Sequence, residues 1–339
     1  MTISVLIPCY NEELSIAKSL DCWLTQTRPL DEIIVVDDKS TDKSLEIIKS
    51  YGDKVKLITL KEKCGNKSFV QEAGLKFISS DVFIATDADS YPDPNFVARV
   101  ASAFTDSQIT AFAGHVRSLK KNWLTACREI EYSLGQVIHK TAQSQLGFIY
   151  VIPGCAGAFR TDYFKKHIHF DHDTLTEDLD FTYKINFDRQ KVVYDSQAIV
   201  YTQDPATIKS YANQMRRWYS GGWQNLRKHL NILKHPLATL EICLMFFDGP
   251  FFFFSLFLLP FINIHIFSQF ITIYLRSILL LGLIAGVFSR RLDLILYAPT
   301  YLFVSYINSY IFVEQFVKEI VIRRKQLTWF HAERWQISK

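Results

Sequence analysis

The chain has 339 residues, enough to bury one large core or two modest ones. Hydrophobic residues make up 49%, phenylalanine alone numbers 27 and the net charge is only +4. That charge does not suggest a global nucleic-acid-binding footprint, and the apolar excess points to lipid contact. The excess is uneven: up to about His235 the chain reads as an ordinary α/β protein, and beyond Leu237 charges thin out. Residues 2–8 enter a strand at once, with no basic leader and apolar stretch ahead of it, so no signal peptide is expected. Cys9, Cys22, Cys64, Cys127, Cys155 and Cys243 form no CxxC pair and no zinc spacing, which favours reduced thiols in a cytosolic domain.

In chain order, residues 2–8, 32–36, 55–60 and 81–86 are short apolar runs that read as buried strands. Residues 12–26, 41–50, 67–78 and 94–104 follow them at helical spacing, the last opened by Pro94. Four strand–helix units in succession predict a parallel, doubly wound sheet with ligands at the carboxyl ends of its strands. The rhythm breaks after Gly114. Residues 123–145 read as one long helix, 154–157 as a small-residue turn and 158–160 as a strand. Residues 177–187 are helical, 191–201 a strand, and 208–230 an aromatic, basic helix.

Three apolar segments close the chain, at about 240–262, 266–288 and 294–316. Each approaches the ~20 residues needed to cross a bilayer. Glu241 and Asp248, Arg276, and Asn308 and Glu314 interrupt them, and such groups are expected to face protein or a water-filled passage. Between Pro205 and Leu240 stand six Lys/Arg and no acid, a pattern suited to the cytoplasmic lipid surface. Positive charge places 227–234 and Arg290-Arg291 together in the cytoplasm, as two spans require, but a third span would export Lys318, Arg323, Arg324 and Lys325. Asp248-Gly249-Pro250 breaks the first run, which makes that run the expected surface or re-entrant segment. The expected division is 1–235 catalytic, 236–317 membrane region and 318–339 basic tail.

The chemistry sits at strand ends. Pro8-Cys9-Tyr10-Asn11-Glu12 closes the first strand and turns an aromatic and an acid toward the sheet's mouth, although a plain strand-to-helix turn explains it equally. Asp37-Asp38 closes the second, where a carboxylate can accept from a ribose hydroxyl or a uracil N–H; Asp42 is expected to cap the next helix. Asp87-Ala88-Asp89 closes the fourth, and in an extended chain both carboxylates reach one hard cation, Mg or Mn, beside diphosphate oxygens. Thr176-Glu177-Asp178 reads either as a site or as a helix N-terminus with acids on its dipole. Arg217-Trp218 reads either as a site or as an interface anchor, and Gly154-Cys155-Ala156-Gly157 also reads as a tight turn.

In series, these motifs resemble the inverting family-2 glycosyltransferases of GT-A fold, above all the membrane-bound branch with cellulose, hyaluronan and poly-N-acetylglucosamine synthases. The resemblance covers about 2–225 by motif and the tail by character. It implies a Rossmann-like GT-A domain followed by C-terminal transmembrane helices. It assigns nucleotide binding to Pro8, Tyr10, Glu12, Asp38, Lys67 and Asp87, and the metal, Mg or Mn, to Asp89. Asp178 is implied as general base. Gln214, Arg217 and Trp218 match its QxxRW signature, at the diphosphate and acceptor with Glu177 and Gly154. The chain departs from the pattern at Asn66, where glycine is usual, and at Glu72, where asparagine is usual.

The expected activity is transfer from a UDP-sugar to a growing polysaccharide by single displacement, with glycolipid formation as the alternative. The expected partners are the nucleotide sugar, a saccharide or lipid acceptor, the membrane and a candidate accessory subunit, and no nucleic acid. A nucleotidyltransferase would need an early Gly-rich basic loop, which 8–15 lacks. A decayed scaffold would have lost Asp89, Asp178 or Arg217, and all three stand.

Overall fold

The computed structural model describes residues 1–324, 327 and 334–336. The first half alternates: β1 (Ile3–Cys9), α1 (Ile16–Leu24), β2 (Glu32–Asp37), α2 (Ser44–Lys49), β3 (Lys56–Thr59), α3 (Lys67–Leu75), β4 (Val82–Ala85), β5 (Ser90–Pro92) and α4 (Phe96–Ala103). The second half is β6 (Ile109–Ser118), α5 (Trp123–Leu134), a π-helical turn at Gly135–Lys140, α6 (Thr141–Gln145), β7 (Gly157–Arg160), α7 (Thr161–His167), α8 (Glu177–Phe187), β8 (Lys191–Thr202) and α9 (Ile208–Lys228).

One eight-stranded sheet runs β3-β2-β1-β4-β7-β6-β8-β5. Period-two alternation covers both its faces. Ile3, Val5 and Ile7 pack with Ile16, Leu20, Trp23 and Phe96, while Leu6, Ile34 and Val36 pack with Val70, Leu75, Phe181 and Ile185. Each such side chain contributes about 1.5–3 kcal/mol by leaving water. Gly74 lets α3 close on the sheet, because a Cβ there would collide with Leu6 and stand 2.7 Å from Val36.

The expected all-parallel sheet is a mixed one. β3, β2, β1 and β4 are parallel, but β7 runs antiparallel to both β4 and β6, and β5 antiparallel to β8. The departure starts where β4 and β5 follow one another with no helix between them, and β7, from far along the chain, enters between β4 and β6. The helix expected over 123–145 is continuous in course but carries the π turn, whose extra residue rotates everything after it.

Beyond α9 a 3₁₀ turn (Leu230–Lys234) leads to α10 (Pro236–Phe253), a π turn (Phe254–Leu258), α11 (Leu259–Ile262), α12 (Ile264–Phe288), α13 (Leu294–Tyr297) and α14 (Tyr301–Phe316). Pro236–Ile262, with 27 residues, and Ile264–Phe288, with 25, are long and apolar enough to cross a membrane by length and composition. The break expected at Asp248-Gly249-Pro250 does not occur. α10 runs through Pro250, a π turn following it, and Gly249 gives Phe312 of α14 room that a Cβ would fill. The third apolar segment is the interrupted one, at the 3₁₀ turn Ala298–Thr300. Its polar residues do face protein: Asn308 Oδ1 accepts from Tyr211 Oη at 2.9 Å and Glu314 meets Arg216 Nε at 2.9 Å, docking α14 on α9. Half of the tail expected at 318–339 lies outside the described residues.

Candidate active site

Two loops at the carboxyl ends of β1 and β2 are tied together. Asn11, left-handed at φ 53°, accepts from the Thr41 N–H at 2.8 Å and donates its own N–H to Ser40 Oγ at 3.0 Å. Asp42 accepts from the Ser44 N–H at 2.9 Å, but the N-cap of α2 is Lys43, without a side-chain cap, so Asp42 stands one residue before the capping position expected of it. Asp38 binds the next loop: its two oxygens accept the N–H groups of Cys64 at 2.6 Å and Gly65 at 3.0 Å. Beside it, Lys63 Nζ lies 3.8 Å from the centre of the Tyr10 ring.

Asp87-Ala88-Asp89 is a turn between β4 and β5 rather than an extended strand end, closed by Ser90 N–H to the Asp87 carbonyl at 3.1 Å. The two carboxylates consequently find different partners. Asp87 meets Lys67 Nζ at 2.5 Å, and the same ammonium reaches Glu177 at 3.1 Å. Asp89 meets Arg334 Nη1 at 2.7 Å, while Arg334 Nη2 lies 2.6 Å from Glu12. Burial works against the Lys67 charge, but Asp87 and Glu177 hold its pKa well above the ordinary value. Burial pushes Asp89 up to about 7 against the pull of Arg334, with Glu12 and Asp87 adding to the rise.

Asp178 stands in the first turn of α8. Its Oδ1 accepts the Leu179 N–H at 2.9 Å and its Oδ2 the Gly154 N–H at 3.3 Å. A Cβ on Gly154 would stand 3.2 Å from Lys67 Nζ and 3.4 Å from Asp178 Oδ2, so glycine keeps this approach open. Burial, with Glu177 adjacent, raises the Asp178 carboxyl to about 6 against Lys67 and Arg217.

The helix α9 fixes this turn from behind. Asn225 Nδ2 donates to Thr176 Oγ1 at 2.9 Å and to its carbonyl at 3.1 Å, and Gln224 accepts the Leu175 N–H at 3.0 Å. Gly221 lets the helix approach, since a Cβ there would collide with Thr176. On the same helix Trp218 faces Arg128, whose guanidinium carbon is 4.7 Å from its ring centre. Arg128 pairs with Glu131 and lies 3.5 Å from Asp204.

The strand-end acids Asp38, Asp87 and Asp89, with Lys67, Asp178, Trp218 and Arg334, border one cavity of about 540 Å³. Pro8, Tyr10, Glu12, Asp38, Lys67, Asp87 and Asp89 line it together with Gly154, Glu177, Asp178, Gln214, Arg217 and Trp218, Glu177 standing beside Lys67. The structure thus brings every sequence-predicted site residue together. Sequence reasoning missed Arg128, Lys140, Asp204 and Arg334, which line or adjoin the same space. Arg334 lies 322 residues from Glu12, and no local pattern announces such a contact. Asp87 and Asp89 are oxygen donors of the kind a hard divalent cation takes, each engaged here by a cation, and no cluster of three metal-ligating side chains stands among the described residues.

Residues 4–168 match the sequence model of the family described as Glycosyl transferase family 2. The chain is 28% identical over 258 residues to the hyaluronan synthase of Streptococcus pyogenes, covering 70% of this chain and 61% of that protein. It is likewise 28% identical over 249 residues to the poly-beta-1,6-N-acetyl-D-glucosamine synthase of Staphylococcus epidermidis, covering 72% and 60%. It therefore spans about three fifths of the length of these relatives. In fold it is similar to the mannosyltransferase PcManGT from Pyrobaculum calidifontis, solved with GDP-Man and Mn²⁺, at a TM-score of 0.60 and 17% identity over 89% of this chain and 86% of that one. The α/β domain is of GT-A type, followed by apolar helices. Residues 4–168 thus carry the sequence pattern of glycosyl transferase family 2, on a fold similar to that of a solved glycosyltransferase.

Proposed function

We propose that the chain transfers a sugar from a UDP-sugar to a growing polysaccharide, by single displacement with inversion. The observation that carries this reading is the position of Asp178. It lies between an acid-and-base-rich wall and an aromatic wall of one cavity, with a carboxyl raised to about 6. Near neutral pH such a group is ionised yet basic enough to take the proton of an attacking hydroxyl. A second carboxylate placed as a nucleophile is not part of the reading, so the attack is direct and the anomeric centre inverts.

In this reading Tyr10, Asp38 and the 64–65 loop receive the nucleoside, with Pro8 and Glu12 shaping its entrance. Asp89, with Asp87 near it, would hold Mg or Mn, which when bound supplies positive charge to the departing diphosphate. Lys67 and Arg217 stabilise the same leaving group electrostatically. Gly154 orients Asp178 through its N–H, and Glu177 holds Lys67 in place. Gln214 and Trp218 receive the acceptor, the indole as a flat apolar face for a sugar ring.

The polysaccharide acceptor is supported by the synthase relatives, and glycolipid formation is the reading that product size would favour instead. We read 1–235 as the catalytic domain and 236–317 as a membrane region. Two spans, Pro236–Ile262 and Ile264–Phe288, put Arg227–Lys234 and Arg290-Arg291 on the same face, which we assign to the cytoplasm. The direct test is nucleotide release by detergent-solubilised protein with Mn²⁺, across UDP-sugars and GDP-mannose, with Asp178→Asn as control. Turnover of a UDP-sugar by the wild type alone supports the reading, and turnover of GDP-mannose alone overturns the UDP assignment. A polymeric product supports the synthase assignment.

A further inference from the structure

The buried cations in and beside the cavity differ in one respect. Lys67 has Asp87 and Glu177 beside it, Arg334 has Glu12 and Asp89, and Arg128 has Glu131 and Asp204. Lys140 has no hydrogen bond or ion pair among the described residues, although it lines the cavity and is only 8% exposed. A buried ammonium without a counter-charge is costly, and proteins keep one where a ligand supplies the charge. Burial pulls its pKa down to about 8, with Cys155 and Asp178 the acidic groups that sense it.

The local backbone delivers this side chain. Lys140 ends the π turn Gly135–Lys140, and π turns recur at functional positions because they redirect side chains within a helix. Gly135 and Gln136 of the same turn also line the cavity, and nothing lies within 4 Å of a Cβ at Gly135. The turn packs on β6 and β8, away from the β1, β2 and β4 ends where the nucleotide side lies. Three further polar atoms on cavity-lining residues have no hydrogen-bond partner among the described residues, Gln214 Oε1, Trp223 Nε1 and Asp204 Oδ2, the last an acceptor for a sugar hydroxyl. A carbonyl, an indole N–H and an ammonium suit a hydroxylated sugar that also carries a negative group.

We propose that Lys140 receives an anionic substituent, a carboxylate or a phosphate, on the acceptor sugar whose hydroxyl faces Asp178, and so sets acceptor specificity. The assignment rests on the glycosyl-transfer reading of the cavity. An ammonium is a point charge with three rotatable donors, so it accommodates either anion.

The test uses full-length protein saturated with UDP and Mn²⁺, titrated calorimetrically with methyl β-glucuronide, glucose 6-phosphate and neutral methyl β-glucoside. The expected result is that one anionic sugar binds on the order of tenfold more tightly than the glucoside. Which one does so identifies the anion. Lys140→Met removes the preference and Lys140→Arg restores part of it, while UDP affinity stays unchanged. Equal binding of all three sugars, or a preference that survives Lys140→Met, overturns the proposal. Failure of the wild type to bind UDP would instead strike the glycosyl-transfer reading itself. Should Lys140→Met not fold, amine-reactive labelling of Lys140 in the wild type, read by mass spectrometry, decides the matter: protection by the anionic sugar and not by the glucoside supports it, and equal labelling sinks it.

Discussion

The two walls of the cavity solve the problem of buried charge in opposite ways. On the side of β1, β2 and the β4–β5 turn, acids and bases neutralise one another: Lys67 with Asp87 and Glu177, Arg334 with Glu12 and Asp89. On the side of α9 and the π turn, Trp218, Tyr219, Trp223 and Phe246 dominate, and Gln214 and Lys140 keep polar atoms without partners among the described residues. On the proposed reading the first wall receives the charged nucleotide sugar, whose arrival exchanges one set of ion pairs for another. The second is built for apolar faces and a few directed polar contacts. Asp178 belongs to both, with Lys67 and Glu177 on one side and Arg217 on the other.

That division makes the walls separable by experiment. Asp178→Asn, at their boundary, is expected to lower kcat roughly a thousandfold while leaving nucleotide binding intact. Calorimetry with UDP and Mn²⁺ alongside single-turnover kinetics checks it, and lost nucleotide binding would break the division. Asp89→Ala, confined to the charged wall, is expected to cost on the order of a hundredfold in transfer and to abolish Mn²⁺ binding read by electron paramagnetic resonance. The pH dependence sharpens the point further. A base whose carboxyl titrates at about 6 must be deprotonated to work, so kcat/KM should fall about tenfold per unit below that value and level off above it. A profile flat down to pH 5 would remove Asp178 from the role. Trp218→Ala, confined to the aromatic wall, is expected to raise the acceptor KM about tenfold with the donor KM unchanged. Equal change in both would show that the walls act as one.

The C-terminal apolar helices repeat the lesson on a larger scale. Asn308 and Glu314 read as blemishes in a span, yet each bonds to α9, the helix that carries Trp218 and braces Thr176. Through Glu319, which accepts from Gln224 at 2.8 Å, the segment after α14 joins the same brace. The helix that holds the site is thereby anchored on the apolar region.

Local pattern was sufficient for the elements that bury one face or two. The runs at 2–8 and 32–36 are β1 and β2 to within a residue or two, because alternate apolar side chains leave little freedom of register. Glu177–Phe187 was legible from its acidic first turn. The acid pairs at strand ends were legible too, since a doubly wound sheet delivers ligands there. Sequence could not give the antiparallel insertion of β7, which depends on pairing partners far along the chain, nor the turn that sends Asp87 to Lys67 and Asp89 to Arg334. It could not give the π turn, which has no periodic signature of its own, nor therefore the burial of Lys140. Local spacing determines which face a residue takes; which charges meet, and which go unmet, is decided when segments hundreds of residues apart close on one cavity, because burial and pairing are properties of the assembled space.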